Sequence, residues 1–177
     1  MKNITKMPLY LGLAVLVGTV LVSAATIGGQ KSALTYQKSR AAGATASLSM
    51  SFSPPNLVSV NLAGDKEIAG LDVAIKFNKD KVTLLPSTLT GGPSFTASGV
   101  FLDAQNALLS FSALPKNDGV KMGIVATFNV LPKINGDNVE ANLQFETTGE
   151  KTVVIEKMGN SNILTAATGI KFNISSK

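Results

Sequence analysis

The stretch Ile68 to Leu85, which reads IAGLDVAIKFNKDKVTLL, decides the fold of this chain. Between Leu71 and Phe77, apolar side chains alternate with Asp72, Ala74 and Lys76. A period of two residues is typical of a β-strand that turns one side to a core and the other to solvent. A short polar corner follows and leads into a second run of β-forming residues. The stretch therefore predicts two strands joined by a tight turn.

The chain from Ala46 onward repeats this pattern of short β-runs separated by turn residues. The other runs cover residues 47–52, 57–62, 100–102, 107–113, 123–131, 139–146, 151–156, 163–164 and 169–174. A hairpin is expected around Asp103 to Asn106, and residues 86–98 are expected to form a loop that Phe95 pins to the core. Many short strands without a helical period predict an all-β fold, an antiparallel jelly-roll β-sandwich of about nine strands. We assign residues 46–177 to this sandwich.

The order of these motifs resembles that of cohesin domains, the β-sandwich modules that bind dockerins. The resemblance lies in the stretch quoted above, in GVFLDAQNALLSFSAL from Gly99, in GIVATFNVLPKINGDN from Gly123, and in the closing GIKFNI from Gly169. Each motif alone is of modest specificity, and their order and spacing carry the weight. The resemblance covers residues 47–174 and implies a module that binds a partner protein, dockerin-like or other.

The resemblance also implies a binding site on the outer side of one sheet. In cohesins that side includes the third strand, where an Asp position supplies hydrogen bonds to the partner, and Asp72 matches this position. Ala74, Lys76, Ser110 and Ser112 would extend the same surface. Position 70, which is often polar in the family, is a glycine here, and this departure puts a standard dockerin partner in doubt. The simpler alternative is that Asp72 is a solvated residue on an exposed strand and has no binding role.

The N-terminal part of the chain has a different composition. No charged residue occurs from Pro8 to Gly29, a length that suffices to span a bilayer as one helix, and Lys2 and Lys6 precede it. We expect residues 1–29 to contain a single-pass membrane anchor across residues 8–29, with the sandwich outside the cell. The alternative is a cleaved signal peptide, with small residues at 22–25 and a secreted product. Residues 30–45 are expected to form a spacer.

Composition excludes several classes of function. The chain has no histidine and no cysteine, which removes the Ser-His-Asp triad, cysteine nucleophiles and His/Cys metal sites. Five of the 16 basic residues precede Ala46, where no acidic residue occurs, so the remaining lysines balance the 11 acidic residues. A balanced domain does not predict binding to nucleic acid. Oxygen-rich turns at 65–67, 78–80 and 117–118 lack the spacing of an EF-hand and are read as turns. We expect no metal, no cofactor and no enzymatic activity.

Two alternatives to protein binding stay open. The first is a carbohydrate-binding module of the same architecture, which would normally stack sugars on Trp or Tyr. The chain has no Trp, and both tyrosines, Tyr10 and Tyr36, precede the domain, so this alternative is the weaker one. The second is a structural envelope subunit that assembles through its edge strands.

Overall fold

A computed structural model describes residues 45–135 and 138–175. The predicted anchor and nearly all of the spacer lie outside these residues. Within the described part, no helix has the length and apolar character that crossing a membrane requires. The one helical element there is a 3-10 turn, Thr148–Glu150.

In the described residues, eleven strands form two sheets that face each other. The strands are β1 Ala46–Ser53, β2 Leu57–Gly64, β3 Ile68–Phe77, β4 Val82–Gly91, β5 Phe95–Asp103, β6 Leu108–Pro115, β7 Gly123–Pro132, β8 Val139–Phe145, β9 Val153–Glu156, β10 Leu164–Thr168 and β11 Ile170–Ile174. One sheet has the order β10-β1-β2-β7-β4, and the other has the order β11-β8-β3-β6-β5, with β9 also paired to β3. The all-β sandwich that the sequence predicts is therefore confirmed.

The core lies between the sheets and follows the predicted alternation. In β3, Leu71, Val73 and Ile75 are buried, and Phe95 is buried at the start of β5 as expected. The two sheets contribute aliphatic and aromatic side chains that interdigitate in one cluster, including Leu48, Val58, Val60, Leu84, Leu109, Phe111, Phe128, Val130, Ala141 and Leu143. The burial of these side chains is the main favourable contribution to folding.

The structure corrects three details of the prediction. The part of the chain that the structure describes forms eleven strands where about nine were expected. The sandwich is not wholly antiparallel, because β1 pairs with β10 in parallel. The loop expected over residues 86–98 is mostly strand, with a turn only at 92–94. Strand β4 lies at the edge of its sheet, and its pairing with β7 is irregular between Leu85 and Thr90, which allows Pro86 within the strand. In this irregular part, the backbone N–H of Asn129 donates to the Thr88 hydroxyl.

The hairpin between β5 and β6 forms where it was predicted. Asp103 accepts hydrogen bonds from the backbone N–H groups of Gln105 and Asn106 and from the Asn106 side chain. These hydrogen bonds lower the pKa of Asp103, and the bond from the Asn106 side chain has the largest effect. The turn is thus held by its own side chains, and it places β5 beside β6 in the second sheet.

Candidate functional site

The outer side of β3, β6 and β5 carries the residues that the sequence predicts to bind a partner. Asp72 lies opposite Ser112, and Ala74 lies opposite Ser110, in the antiparallel pairing of β3 with β6. Their neighbours Val73, Ile75, Leu109 and Phe111 point into the core. Because side chains alternate across a strand, Asp72, Ser110 and Ser112 share one outward surface.

A hydrogen-bonded pair marks the middle of this surface. The Ser112 hydroxyl donates to a carboxylate oxygen of Asp72 over 2.6 Å. Ser98 of β5 lies opposite Ser112 in the next pairing. The bond fixes the Asp72 carboxylate on an exposed sheet, where its remaining lone pairs can accept bonds from another molecule.

The surface also contains an exposed aromatic residue that the sequence analysis did not assign to the site. Plain alternation from the buried Phe95 would turn Phe101 inward. The pairing of β5 with β6 instead shifts between Ser98 and Phe101, and Gly99 takes a φ of 61° there. This bulge adds one residue to β5, so that Phe101 lies opposite Ser110 and its side chain is 62% exposed. An isolated glycine within a β-run is the sequence signal for such a bulge.

Gly70 makes room for a second apolar residue, Leu114 of β6. A Cβ atom at Gly70 would approach the Leu114 Cδ2 atom to 2.9 Å, so the leucine side chain lies against the glycine backbone. Leu114 is 55% exposed. The departure from the family pattern at position 70 thus replaces a polar group by an apolar contact surface.

We call the outward side chains of these three strands the front face, defined by Asp72, Ser98, Phe101, Ser110, Ser112 and Leu114. Two open cavities flank its Asp72–Ser112 pair. One, of about 440 Å³, lies over Ala74 and Ser110 and is bordered by residues 149–151. The other, of about 320 Å³, lies over Gly70 and next to Leu114. The front face is thus a hydrogen-bonded centre between two cavities that can receive side chains.

Ala74 occupies the expected side of β3 but is not exposed. Its residual exposure is 2%, and it borders the same cavity as residues 149–151. The Thr152 hydroxyl accepts a bond from the Ala74 N–H over 3.1 Å, and the Glu146 N–H donates to the Ala74 carbonyl over 2.8 Å. The segment between β8 and β9 therefore covers this position, and Ala74 forms the floor of the front face.

Lys76 lies at the border of the front face and is paired within the protein. Its ammonium group forms an ion pair with Glu146, whose side chain is almost fully buried. The hydrogen bond from Lys76, followed by those from Thr148, lowers the pKa of Glu146 to about 2. Lys76 thereby helps to hold the segment that follows β8 against the sheet.

The groups on the front face suit recognition better than covalent chemistry. A serine hydroxyl bonded to a carboxylate lacks the imidazole that activates serine nucleophiles, and the chain has no histidine. Within residues 45–135 and 138–175, no three acidic residues come together in a way that could hold a metal ion. Asn78, which the sequence places in an oxygen-rich turn, uses both ends of its amide on β8, at the Glu140 carbonyl and the Asn142 N–H.

Solved cohesin structures have the same fold as this chain. The sixth cohesin of scaffoldin B from Acetivibrio cellulolyticus, solved in complex with the Cel5 dockerin, is 15% identical, with 74% of this chain and 99% of that chain covered and a TM-score of 0.56. A type I cohesin–dockerin complex from Clostridium thermocellum, Coh-OlpC–Doc435, is 10% identical, with 78% and 99% covered and a TM-score of 0.56.

A non-cellulosomal cohesin from the archaeon Archaeoglobus fulgidus is also similar, at 8% identity, with 75% and 92% covered and a TM-score of 0.55. No protein-family model matches the chain, and no curated protein matches its sequence significantly. At these identities the similarity establishes a cohesin-like fold.

Proposed function

We propose that this chain is a non-enzymatic module that binds a partner protein through its front face. The observation that carries the proposal is the pair of exposed apolar side chains, Phe101 and Leu114, on either side of the hydrogen-bonded Asp72–Ser112 pair. Protein interfaces are commonly anchored by a few aromatic or aliphatic side chains around precisely placed polar groups. The front face has this composition on a rigid sheet.

The proposed partner is a protein that presents apolar side chains and a hydrogen-bond donor to this sheet. Structures with the same fold were solved as cohesin–dockerin complexes, which supports a dockerin-type partner. The glycine at position 70 and the apolar surface of Leu114 favour a partner whose contact is more apolar there. The predicted sites at Lys76, Ser110 and Ser112 would border the contact.

The proposed location is the outer surface of a cell membrane. The uncharged stretch from Pro8 to Gly29 would anchor the chain, and Lys2 and Lys6 would stay inside. The sandwich would then face outward, in an assembly at the cell surface. Cell fractionation combined with protease treatment of intact cells tests this placement, because an outward sandwich is digested without lysis.

Capture of partners by the full chain in mild detergent tests the proposed function. Extracts and secreted proteins of the source organism are passed over the wild type, Phe101→Ala and the matched control Met158→Ala, whose residue is 94% exposed in the turn that follows β9. We expect Phe101→Ala to weaken the affinity for a captured partner roughly 10-fold or more, as losing an aromatic anchor does. The control should retain it.

Two results would contradict this proposal. The first is a partner that binds Phe101→Ala as tightly as the wild type, since the front face would then not be the contact. The second is specific binding on a glycan array without any captured protein, which would favour the carbohydrate-binding alternative.

A further inference from the structure

The other sheet of the sandwich has an outer side without charge. None of the residues in β10, β1, β2, β7 and β4 is Asp, Glu, Lys or Arg. The strands of the second sheet, in contrast, carry Asp72, Lys76, Asp103, Glu140 and Lys171. Because exposed surfaces normally carry charged residues, an uncharged five-stranded sheet is a distinct surface. We call its outward side chains the neutral face.

Hydroxyl and amide groups form the centre of the neutral face. Ser51 lies opposite Ser59, Ser59 lies opposite Thr127, and Thr127 lies opposite Thr90, so that one row crosses four strands. Ser59 is only 9% exposed, so the accessible groups of this row are those of the flanking residues. The hydroxyls of Thr90 and Thr127 are 3.1 Å apart, and the Asn61 amide donates to the Ser51 hydroxyl over 3.1 Å. These groups both donate and accept hydrogen bonds.

Aliphatic side chains add apolar area to the same face. Leu57, Ile124 and Leu131 are each between 37% and 39% exposed. Ile124 points outward opposite Asn61 because the pairing of β2 with β7 shifts after Val60. The neutral face is therefore a flat surface of mixed hydroxyl, amide and aliphatic groups.

We propose that the neutral face binds the neutral face of a second copy of this chain. In a two-fold contact the same surface is present on both sides, so a face that carries charges of one sign would repel its copy. Hydroxyl and amide groups can instead pair with their own kind, since they act as both donors and acceptors. The face carries no charge to attract a charged partner and no tyrosine or tryptophan on which a sugar could stack.

The area of the neutral face fits such a contact. Five strands spaced about 4.8 Å apart and about eight residues long, at about 3.3 Å per residue, cover roughly 630 Å². Full overlap of two copies would bury about 1,260 Å² in total, close to the lower limit of about 1,200 Å² for specific stable interfaces. Two sheets can stack in this way at about 10 Å. The contact leaves the front face free for its own partner.

Cysteine cross-linking in the full chain tests the proposal, because the natural sequence contains no cysteine. Ser51→Cys places a thiol on the neutral face, and Thr96→Cys, at an exposed position of β5 in the other sheet, is the control. Each variant is solubilised in mild detergent and treated with a short bis-maleimide over a dilution series. We expect Ser51→Cys to give at least a several-fold higher yield of cross-linked dimer than Thr96→Cys.

A second substitution separates this contact from association through other parts of the chain. Adding Ser49→Lys to the Ser51→Cys variant places a charge on the neutral face, at an exposed position of β1. We expect the dimer yield to fall to that of the control. Equal yields from Ser51→Cys and Thr96→Cys, a yield unchanged by Ser49→Lys, or a monomer that binds a neutral polysaccharide instead would each overturn the proposal. Unchanged thermal unfolding of the variants shows that the sandwich is intact.

Discussion

Replacing Thr152 with valine should destabilise the sandwich through one buried hydroxyl. One edge of β3 is shared by two strands, with β9 paired to residues 68–72 and β8 to residues 75–77. Ala74 lies in the gap between them. The Thr152 hydroxyl fills this gap by accepting from the Ala74 N–H over 3.1 Å and by donating to the Glu146 carbonyl over 2.8 Å. Both Thr152 and Ala74 are 2% exposed.

The expected cost follows from these two bonds. Valine has nearly the shape of threonine, so packing changes little, but the Ala74 N–H loses its partner in a buried place. An unsatisfied buried donor costs about 1–3 kcal/mol, and the lost donated bond adds about 0.5–1.5 kcal/mol. We therefore expect the free energy of unfolding to fall by about 1.5–4.5 kcal/mol, with a central value of about 3 kcal/mol. For a domain of this size that corresponds to a decrease in Tm of roughly 10 °C.

Urea unfolding of the wild type, Thr152→Val and Thr152→Ser measures this effect. Serine keeps the hydroxyl and loses one buried methyl group, which costs about 1 kcal/mol. The reasoning is refuted if the valine variant is as stable as the wild type while the serine variant is less stable, because packing and not hydrogen bonding would then dominate. Partner binding provides a second measurement, since the same hydroxyl holds the segment that borders the cavity next to Asp72.

Two further predictions concern backbone packing and pH. Gly92→Ala should lower the free energy of unfolding by about 3 kcal/mol or more, because its Cβ would lie 1.8 Å from the Ile124 carbonyl oxygen. Gly70→Ala is the control in the same urea assay, because its Cβ would meet the movable end of the Leu114 side chain. Equal losses of stability in the two variants would contradict the argument. Hydrogen bonds from Lys76 and other donors lower the pKa of Glu146 from about 4.5 to about 2. The ionised Glu146 carboxylate therefore contributes fully to stability above pH 4.5, and this contribution is lost as the pH falls towards 2. Urea midpoints between pH 7 and pH 2 should therefore decline less steeply for Glu146→Gln, and identical slopes would show that this carboxylate does not contribute.

The strands and core positions could be predicted from the sequence because they depend on local periodicity. Leu71, Val73 and Ile75 alternate with polar or small residues, and this alternation alone assigns them to the core whichever strands lie beside them. The turn at Asp103 is likewise local, since its side chain bonds to the next few residues. The order of the motifs, which resembles that of cohesin domains, can also be recognised from the sequence alone.

The composition of the front face was decided by tertiary structure. Phe101 is exposed because β5 gains one residue relative to β6, and a shift in pairing depends on the partner strand. Ala74 has the phase of an exposed residue, but a segment more than 70 positions later in the chain covers it. The parallel pairing of β1 with β10 and the uncharged face of their sheet arise in the same way, because they bring together strands that are far apart in sequence. Sequence periodicity predicts which side of a regular strand a residue faces, whereas the neighbouring strands decide where a bulge reverses that side and what covers it.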